Sequence, residues 1–372
     1  MEEKHKLHIA VLIKRFIATG GAERYAVEVT RRLMEFGHTV DLYARQTDNC
    51  LTEGLRWIRV PDRLRFSSVL NSWSFAKETA RLLSAEKYDV IFSHERGHCQ
   101  DLSTIHTFSY RMGLEGCSFL KKLNSLYLSP RSWLHLSLER RQMESAWLAP
   151  VSPIVKEGIG KYYGRTENIV IATPGVDTGW FNPVWIKGHR DKVRGEEKIK
   201  RDELAVLFVG SEFKRKGLDD LIRAIGPGMK LLVVGSGERP GYYHRLAEQC
   251  GVSGQVSYKG LTDDIRRYYA AADVVVLPSL KEAFGMSILE AMACGLPVIS
   301  SAATGIAFLI NDGENGFVFK NAAKIGSLLK SLQSPDLRQS LGEQARRDAE
   351  NRTWEMTARI YEKVCYEIAG LK

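Results

Sequence analysis

Residues 274–300 read VVVLPSLKEAFGMSILEAMACGLPVIS, and this stretch carries the pattern that decides the fold. The apolar runs at its two ends have the length and β-branched content of buried strands. Between them lie a Phe284-Gly285 turn and an apolar segment of helical length, with Glu282 before the turn and Glu290 after it. The stretch therefore predicts a strand, a helix and a second strand, which is the repeating unit of a parallel sheet.

The same alternation of strand-like and helix-like segments runs through the rest of the chain. LHIAVLI at 7–13, AERYAVEVTRRLMEF at 22–36 and HTVDLYA at 38–44 form a first βαβ unit. Further strand-like runs lie at 88–94, 103–108, 146–152 and 168–175, and then at 205–210, 230–235, 256–260, 274–279 and 296–300. We therefore expect an α/β protein with two doubly wound, Rossmann-like sheets, one in each half of the chain.

Domain boundaries follow from this pattern and from a polar, charge-rich span at 187–203. We expect a first domain over residues 1–170 and a second domain over residues 171–353. The C-terminal segment 354–372 has apolar positions at helical spacing, and we expect it to pack back on the first domain. A ligand is expected in the cleft between two such sheets.

Composition limits the class of protein. The chain has 372 residues, of which 44% are hydrophobic and 26% charged, and this is typical of globular proteins. The six cysteines form no CxxC pair and no metal-ligand spacing, so we expect reduced thiols in a cytosolic protein. The first residues lack the features of a signal peptide. The uncharged stretch 291–311 contains Gly295 and Pro297, which favours a buried strand with loops over a membrane-spanning helix.

The net charge of +9 at pH 7 indicates an anionic partner, such as a phosphate compound, a membrane surface or a nucleic acid. The cations are spread through both halves of the chain, and no nucleic-acid-binding motif is present. We therefore do not expect a nucleic acid as partner.

The turn between Glu282 and Glu290 has the features of an anion site. In an open parallel sheet, ligands bind beyond the carboxyl ends of the strands. The free amides of Gly285, Met286 and Ser287 would begin a helix whose dipole favours an anion such as a diphosphate. The two glutamates can accept bidentate hydrogen bonds from vicinal hydroxyls, for instance those of a ribose. The alternative is that both glutamates face solvent.

A second anion site is predicted in GSEFKRKGLDDLI, residues 210–222, directly after another strand-like run. Arg215 and Lys216 precede Gly217, where a helix begins. Two cations at this place would stabilise a leaving diphosphate without a metal, unless the segment is only a solvated basic loop. The Gly20-Gly21 turn after the first strand is neither a full GxGxxG nor a Walker loop, and we expect it to face the cleft.

Five segments together resemble the large GT-B-fold family of retaining glycosyltransferases, family four: GGAER, GSEFKRKG, VVGSGE, LPSLKEAFGMSILEAMACGLPVI and DGENGF. The resemblance covers nearly the whole chain, and the glutamate pair with its flanks is highly specific. It implies a nucleotide-sugar donor held mostly by the second domain, an acceptor held mostly by the first, and no metal.

The resemblance also implies roles for individual residues. Glu290 would bind the ribose, Glu282 the hydroxyls of the transferred sugar, and Arg215 with Lys216 the leaving phosphates. The nucleobase would be recognised near the Gly260-Leu261 loop. The full donor-binding set is Gly20, Gly21, Gly260, Leu261, Phe284, Gly285, Met286, Ser287 and Glu290.

Departures from the commonest family pattern narrow the resemblance. Ser211 stands where most members have an arginine, and Phe308 stands where most have a glutamate. The 210–217 block and Thr173-Pro174-Gly175 resemble the subfamily that adds glucose to the inner-core heptose of lipopolysaccharide. The expected donor is therefore UDP-glucose and the expected acceptor is a heptose of that core.

The residue nearest the anomeric carbon is expected to come from the first domain. The segment HERGHCQDLSTIHTF offers Asp101 and His106, with His94 behind them. Many family members place a histidine where His106 stands, whereas the lipopolysaccharide subfamily uses an aspartate nearby. A histidine at a strand end is also often only a satisfied polar residue, so both candidates stay open.

Residues 108–141 mix cations with aromatic and leucine side chains. Six cations accompany only two anions, Glu115 and Glu139. The cations are Arg111, Lys121, Lys122, Arg131, Arg140 and Arg141. Such a mixture suits the headgroup layer of an anionic membrane, so we expect peripheral binding to the cytoplasmic face of the inner membrane. The alternative is a helical hairpin that packs on its own domain.

Competing functions also remain. A family-four transferase acting on a lipid-linked or capsular glycan would share every feature above except the acceptor. A nucleotide-sugar epimerase of the same fold would need no membrane face. A non-catalytic sugar-nucleotide sensor would need Glu290 but not Arg215 and Lys216, so the presence of all three favours catalysis.

Overall fold

The structure is a computed structural model that describes residues 5–64, 67–115, 117–119, 123 and 129–370. The chain divides into two compact units. The first comprises Met1–Pro174 with Trp354–Lys372, and the second comprises Gly175–Thr353. Each unit contains a six-stranded sheet in which every strand pair is parallel. The expected α/β class with two doubly wound sheets is confirmed.

The sheet of the first unit has the strand order β5-β3-β1-β6-β7-β8. The chain moves outward from β1 and then returns to its other side with β6, so a switch point lies between these two strands. The strands are β1 His8–Leu12, β2 Arg15–Phe16, β3 Thr39–Ala44, β4 Gln46–Thr47, β5 Arg56–Arg59, β6 Val90–Ser93, β7 Leu102–Ile105 and β8 Trp147–Pro150, of which β2 and β4 form a separate pair. The helices are α1 Gly21–Glu35, α2 Ser68–Leu83, α3 Tyr110–Gly113, α4 Pro130–Met143 and α5 Pro153–Tyr163, with a 3-10 turn at Asn49–Leu51.

The sheet of the second unit has the order β11-β10-β9-β12-β13-β14, with its switch point between β9 and β12. Its strands are β9 Leu204–Val209, β10 Met229–Val234, β11 Val256–Gly260, β12 Val274–Leu277, β13 Val298–Ser301 and β14 Phe317–Phe319. Its helices are α6 Pro183–Glu196, α7 Leu218–Ala224, α8 Pro240–Gln249, α9 Arg266–Ala271, α10 Met286–Ala293, α11 Ile325–Ser331 and α12 Pro335–Glu350. Short 3-10 turns lie at Ser253–Gln255, Gly305–Leu309 and Ala322–Lys324.

The stretch 274–300 folds as its pattern predicts, into β12, α10 and β13. All four residues of β12 are buried, and so are Ser287–Ala293 of α10. Six of the eight residues of α10 are apolar, and a helix of this composition is stable when it is surrounded by the protein core. The uncharged stretch 291–311 thus contains a buried strand, as expected. Among the described residues, no helix is both long enough and apolar enough to cross a bilayer.

Several segments differ from the expected pattern: β2, β4, β5 and β14 lie outside the predicted runs, and one predicted run is not a strand. The run at 168–175 forms no regular strand; instead, Leu148 N donates to Asn168 O and Val170 N donates to Leu148 O along β8. Conversely, β5 pairs with β3 although its sequence, RWIR, has no apolar run. It is an edge strand with mostly exposed side chains, so burial leaves little trace in its sequence.

The C-terminal helix, α13 Trp354–Ile368, belongs to the first unit and packs on α1. The hydroxyl of Tyr361 is fully buried and forms hydrogen bonds to the hydroxyls of Tyr25, at 2.9 Å, and Thr104, at 2.8 Å. The Tyr25 hydroxyl also contacts the carbonyl oxygen of Ala172 at 2.9 Å. These contacts join α13, α1, β7 and the end of the first chain segment into one polar cluster within an apolar core.

We predict that Tyr361→Phe lowers stability, because it removes one hydroxyl and leaves those of Tyr25 and Thr104 with fewer partners away from water. The expected loss is about 1–2 kcal/mol in the free energy of unfolding. It is measured from urea denaturation followed by circular dichroism. Tyr366→Phe is the control, because that hydroxyl donates to the carbonyl oxygen of His5 near the surface. Equal stability of the two variants would contradict the assigned role of the cluster.

Candidate active site

The carboxyl ends of the second unit's strands bring the predicted donor residues to one edge of the sheet. Arg215 and Lys216 follow β9, and Glu282 with Gly285 follows β12. Because all strands are parallel, these loops start from the same edge, as the switch-point rule requires. Gly260 lies at the end of β11, two strands away from β9.

Glu282 is bound by both predicted cations. The Arg215 guanidinium donates Nη1–H to Glu282 Oε2 at 3.0 Å and to the carbonyl oxygen of Lys281 at 2.8 Å. Lys216 Nζ lies 3.2 Å from the same carboxylate oxygen. Arg215 also pairs with Glu212 three residues earlier. The cations therefore do not form a solvated basic loop; they are held against the carboxylate on the next loop.

Two glycines make this arrangement possible. Gly217 has φ +74°, and a Cβ there would overlap the carbonyl oxygen of Pro278. Gly285 has φ +118°, and its Cβ would lie 2.9 Å from the side chain of Leu277 and 3.1 Å from that of Ile306. Both positions combine a backbone conformation that favours glycine with a space that excludes a side chain. The loops after β9 and β12 can therefore touch.

Gly285 directly precedes helix α10, and no described side chain caps the helix. Its first turn contains no acidic residue. The backbone N–H groups at its start are thus not met by a carboxylate of their own helix, and the helix dipole adds positive potential there. Met286 and Ser287 are the first two residues of the helix, as the sequence predicts, and Ser287 is buried.

Glu290 does not face solvent, which was one of the two expectations for it. The residue is buried, with 9% of its surface exposed. The Tyr269 hydroxyl, from α9, donates to Glu290 Oε2 at 2.9 Å and lies 3.2 Å from the carbonyl oxygen of Ser287. Tyr269 is a site residue that the sequence analysis missed, since nothing in its local pattern distinguishes it from a core tyrosine.

The remaining donor-side residues have different surroundings. Leu261 is 77% exposed, next to Gly260 with φ +68°. The side chain of Phe284 packs inward, and the residue is 4% exposed. Its carbonyl oxygen accepts a hydrogen bond from Ile306 N at 2.8 Å.

In the first unit, Gly20 precedes α1 with φ +95°, and Gly21 is its first residue. His106 follows β7, and its Nε2 lies 3.3 Å from Nδ1 of His94, which follows β6. The His106 ring also packs edge-on against Tyr25, with 4.9 Å between centroids. A cavity of about 170 Å³ is lined by both histidines and by Ala22 of α1.

The structure separates Asp101 from His106. Asp101 precedes Leu102, the first residue of β7, whereas His106 follows the last residue. The Asp101 carboxylate accepts a hydrogen bond from Ile91 N at 2.8 Å, which ties the beginnings of β6 and β7 together. Burial raises the pKa of Asp101. Its surroundings at the amino end of the strand are those of a structural residue, so we do not place it beside the glycine turn.

Burial lowers the pKa of both histidines in this pair. The pKa of His106 falls to about 3, and that of His94 falls well below its ordinary value of 6.5 because of burial and of the neighbouring His106. Both rings are therefore neutral at pH 7. The Nε2 atom of His94 is buried and has no hydrogen-bond partner among the described residues.

We predict that these rings make stability depend on pH. A histidine whose folded pKa is depressed stabilises the fold above pH 6.5, and this contribution is lost as the pH falls from 6.5 towards the folded value. Each ring contributes up to about 1.4 kcal/mol per pH unit in that window. Between pH 7 and pH 5, the free energy of unfolding measured with urea should fall less steeply with decreasing pH in His106→Gln than in the wild type. His5→Gln, at an exposed position, should keep the wild-type slope; an unchanged slope in His106→Gln would refute the prediction.

Two family descriptions match successive parts of the chain. Residues 19–180 match "Glycosyltransferase Family 4", and residues 189–348 match "Glycosyl transferases group 1". These ranges fall largely in the first and the second unit, respectively.

Individual relatives agree with these matches. The lipopolysaccharide core biosynthesis glycosyltransferase LpsE of Rhizobium meliloti is 36% identical over 171 residues, covering 42% of this chain and 50% of that protein. The lipopolysaccharide glucosyltransferase WaaG of Escherichia coli is 26% identical over 92% of this chain and 94% of its own. The D-inositol 3-phosphate glycosyltransferase of Corynebacterium aurimucosum is 27% identical over 93% and 90%.

Solved structures show the same fold. The crystal structure of WaaG superposes with a TM-score of 0.82 at 24% identity, covering 97% of this chain and 100% of that chain. Anabaena Alr3699/HepE in complex with UDP-glucose gives a TM-score of 0.75 at 17% identity, covering 97% and 100%. The chain is thus a homologue of WaaG and belongs to the GT-B-fold glycosyltransferases that carry family 4 and group 1 domains.

Proposed function

We propose that this glycosyltransferase moves glucose from UDP-glucose to a heptose of the lipopolysaccharide inner core, with retention of configuration and without a metal. Two relatives support the lipopolysaccharide acceptor by name, and one of them is called a glucosyltransferase. A structural neighbour binds UDP-glucose. In this proposal the second unit binds the nucleotide-sugar and the first unit binds the acceptor.

The observation that carries the proposal is the joint binding of Glu282 by Arg215 and Lys216. Two cations beyond β9 meet a carboxylate beyond β12, next to the free amides that begin α10. A diphosphate between the cations and the helix start would be stabilised from two sides. Glu282 would then accept hydrogen bonds from the hydroxyls of the transferred sugar.

The proposed reaction needs no nucleophile from the protein. The acceptor hydroxyl oxygen forms a bond to the anomeric carbon on the face from which UDP leaves, while the bond from that carbon to the phosphate oxygen breaks. The proton of the acceptor hydroxyl passes to the leaving phosphate. Because the transition state places negative charge on the diphosphate, Arg215 and Lys216 lower its free energy more than that of the bound substrate.

Other groups would fix the donor. Glu290, oriented by Tyr269, would accept hydrogen bonds from the ribose. The Gly260-Leu261 backbone would lie near the uracil, and Gly20 and Gly21 would also bind the donor, as the family resemblance implies. His106, neutral at pH 7, would lie near the anomeric carbon and exchange hydrogen bonds with the sugar.

We also propose that the protein binds an anionic membrane peripherally through 108–141. Phe119 is 76% exposed and Trp133 is 57% exposed. Arg131 and Arg140 are exposed on α4 with Trp133. The expected contributions of Lys121 and Lys122 lie outside the described residues.

A different acceptor is the second candidate. The match to a D-inositol 3-phosphate glycosyltransferase over most of the chain favours a small phosphorylated polyol. A lipid-linked or capsular glycan, or an epimerase reaction without an acceptor, is distinguished by product analysis. UDP-glucose turnover that rises only with a heptose-containing core glycolipid supports the main proposal, whereas conversion of the nucleotide-sugar itself, without acceptor, indicates the epimerase.

We predict that calorimetry without added metal detects binding of UDP and UDP-glucose, and much weaker binding of GDP-mannose. This measurement tests whether the site prefers uracil to guanine. Binding of GDP-mannose alone would mean that the donor is a GDP-sugar and not UDP-glucose. Binding of none of the three compounds would refute the assignment of the site.

We predict that Glu290→Ala and Lys216→Ala have different effects. Glu290→Ala removes the carboxylate that accepts hydrogen bonds from the ribose. It should weaken UDP binding by about 1.5–3 kcal/mol, which corresponds to roughly ten- to hundredfold. Loss of the Lys216 charge should lower kcat more than it weakens donor binding, because the charge acts mainly on the leaving group. Lys230→Ala, on the second unit but outside the site, is the control. Equal activity of both site variants and the wild type would exclude these roles.

We predict that Trp133→Ala reduces sedimentation with vesicles that contain phosphatidylglycerol. An exposed indole prefers the interfacial layer, and its loss removes apolar area from that contact. Phe308→Ala, an exposed aromatic of the second unit, is the control. Wild-type sedimentation should fall with added salt because the cations contribute; identical sedimentation of Trp133→Ala and the control would contradict this surface.

A further inference from the structure

A second charged cavity lies in the first unit, at the carboxyl ends of β1, β3 and β5. Its volume is about 610 Å³, which is in the range of sites for small molecules. Four cations line it: Lys14 after β1, Arg15 in β2, Arg45 after β3 and Arg59 at the end of β5. Its polar lining also includes Gln46 and Asn71. The cavity is therefore suited to a hydrophilic, anionic ligand.

Three of the four cations are neutralised by carboxylates in the same cavity. Each pair joins a residue at a strand end to a carboxylate on another segment. The pairs are Lys14 with Glu95, at 3.1 Å, Arg45 with Asp62, at 3.1 Å, and Arg15 with Glu23. One unit of positive charge remains after these pairs are formed.

That remaining charge belongs to Arg59. It is the last residue of the edge strand β5 and lies opposite Ala44 on β3, next to Arg45. Its side chain is exposed, and within the described ranges its guanidinium has no ion pair or hydrogen bond. An arginine held at the wall of a polar cavity without a partner keeps its planar set of donors available for a ligand.

We propose that this cavity binds a phosphate group on the glycan acceptor, with Arg59 as the residue that donates to it. A guanidinium can give two parallel N–H···O bonds to a phosphate, which fixes the orientation of the ligand as well as adding affinity. The polar lining beside it suits the hydroxyls of the sugar that carries the phosphate. This inference rests on the proposed transferase function and adds that the acceptor is phosphorylated.

The position of the cavity agrees with an acceptor role. Glu23, one of its lining residues, lies in the first turn of α1, directly after Gly20 and Gly21. Glu95 follows β6 and is the neighbour of His94. The cavity thus adjoins the glycine turn on one side and the histidine pair on the other, so a phosphate at Arg59 would hold a sugar close to the proposed reaction centre.

The test uses the full chain saturated with UDP, so that the donor site does not compete for phosphate. Glucose 6-phosphate and glucose are titrated by calorimetry as probes, at low and high salt. We expect the wild type to bind glucose 6-phosphate more tightly than glucose and to lose this preference in high salt. Arg59→Gln should weaken glucose 6-phosphate binding about tenfold or more, because a charge-assisted hydrogen-bond pair is lost.

Arg81→Gln is the matched control. It removes the same charge from an exposed arginine in the last turn of α2, outside the cavity lining. It should bind the probe within about twofold of the wild type, and both variants should bind UDP like the wild type. Unchanged binding of glucose 6-phosphate in Arg59→Gln, or no preference for the phosphorylated probe in the wild type, overturns the inference.

Two further outcomes separate the possible sources of error. If Arg59→Gln reduces sedimentation with phosphatidylglycerol vesicles but not probe binding, the arginine serves the membrane surface and the inference is wrong. If the wild type fails to bind UDP or UDP-glucose but binds glucose 6-phosphate through Arg59, the cavity stands as a phosphate site and the proposed transferase function fails. The two conclusions are thus tested separately.

Discussion

The second unit depends on a close approach of backbone to backbone beyond β9 and β12. Gly217 lies against the carbonyl oxygen of Pro278, where any side chain would overlap it. This approach lets Leu280 N donate to the carbonyl oxygen of Arg215 at 2.9 Å, so the two loops are joined directly. The backbone contact between the two loops therefore places Arg215 and Lys216 within reach of the Glu282 carboxylate.

This constraint explains why so much of the second unit is readable from the sequence. Buried parallel strands are continuous apolar runs, and glycine is needed wherever φ is positive and space is absent. The strand, the Phe284-Gly285 turn and the helix after it all follow from these two rules. The Glu282 carboxylate was found for the same reason, since it lies in the loop between this strand and the helix.

Other features leave no local signal. Tyr269 on α9 donates a hydrogen bond to Glu290 on α10, and β12 lies between these helices in the chain. No spacing in the sequence predicts such a pair. Asp101 was a candidate because the lipopolysaccharide subfamily uses an aspartate near the position of His106, but a four-residue strand places the two residues at opposite ends. Two residues that are close in sequence reach opposite edges of the sheet when one precedes a strand and the other follows it. The edge strand β5 was missed because three of its four side chains are exposed.

The two proposed anion-binding sites, at Arg215 with Lys216 and at Arg59, differ in the contacts that a ligand must displace. Lys216 and Glu282 are each only 16% exposed at the side chain, so an anion that draws Lys216 away would leave a carboxylate poorly solvated. A donor that brings a diphosphate alone would meet this cost, whereas a nucleotide-sugar also brings hydroxyls that can satisfy Glu282. In the proposed donor site, the complete donor would therefore bind at a lower cost than its diphosphate fragment. Arg59 has no carboxylate to release within the described chain, so a phosphate there needs no compensating hydroxyl, and selectivity at that cavity must come from the sugar that its polar walls admit.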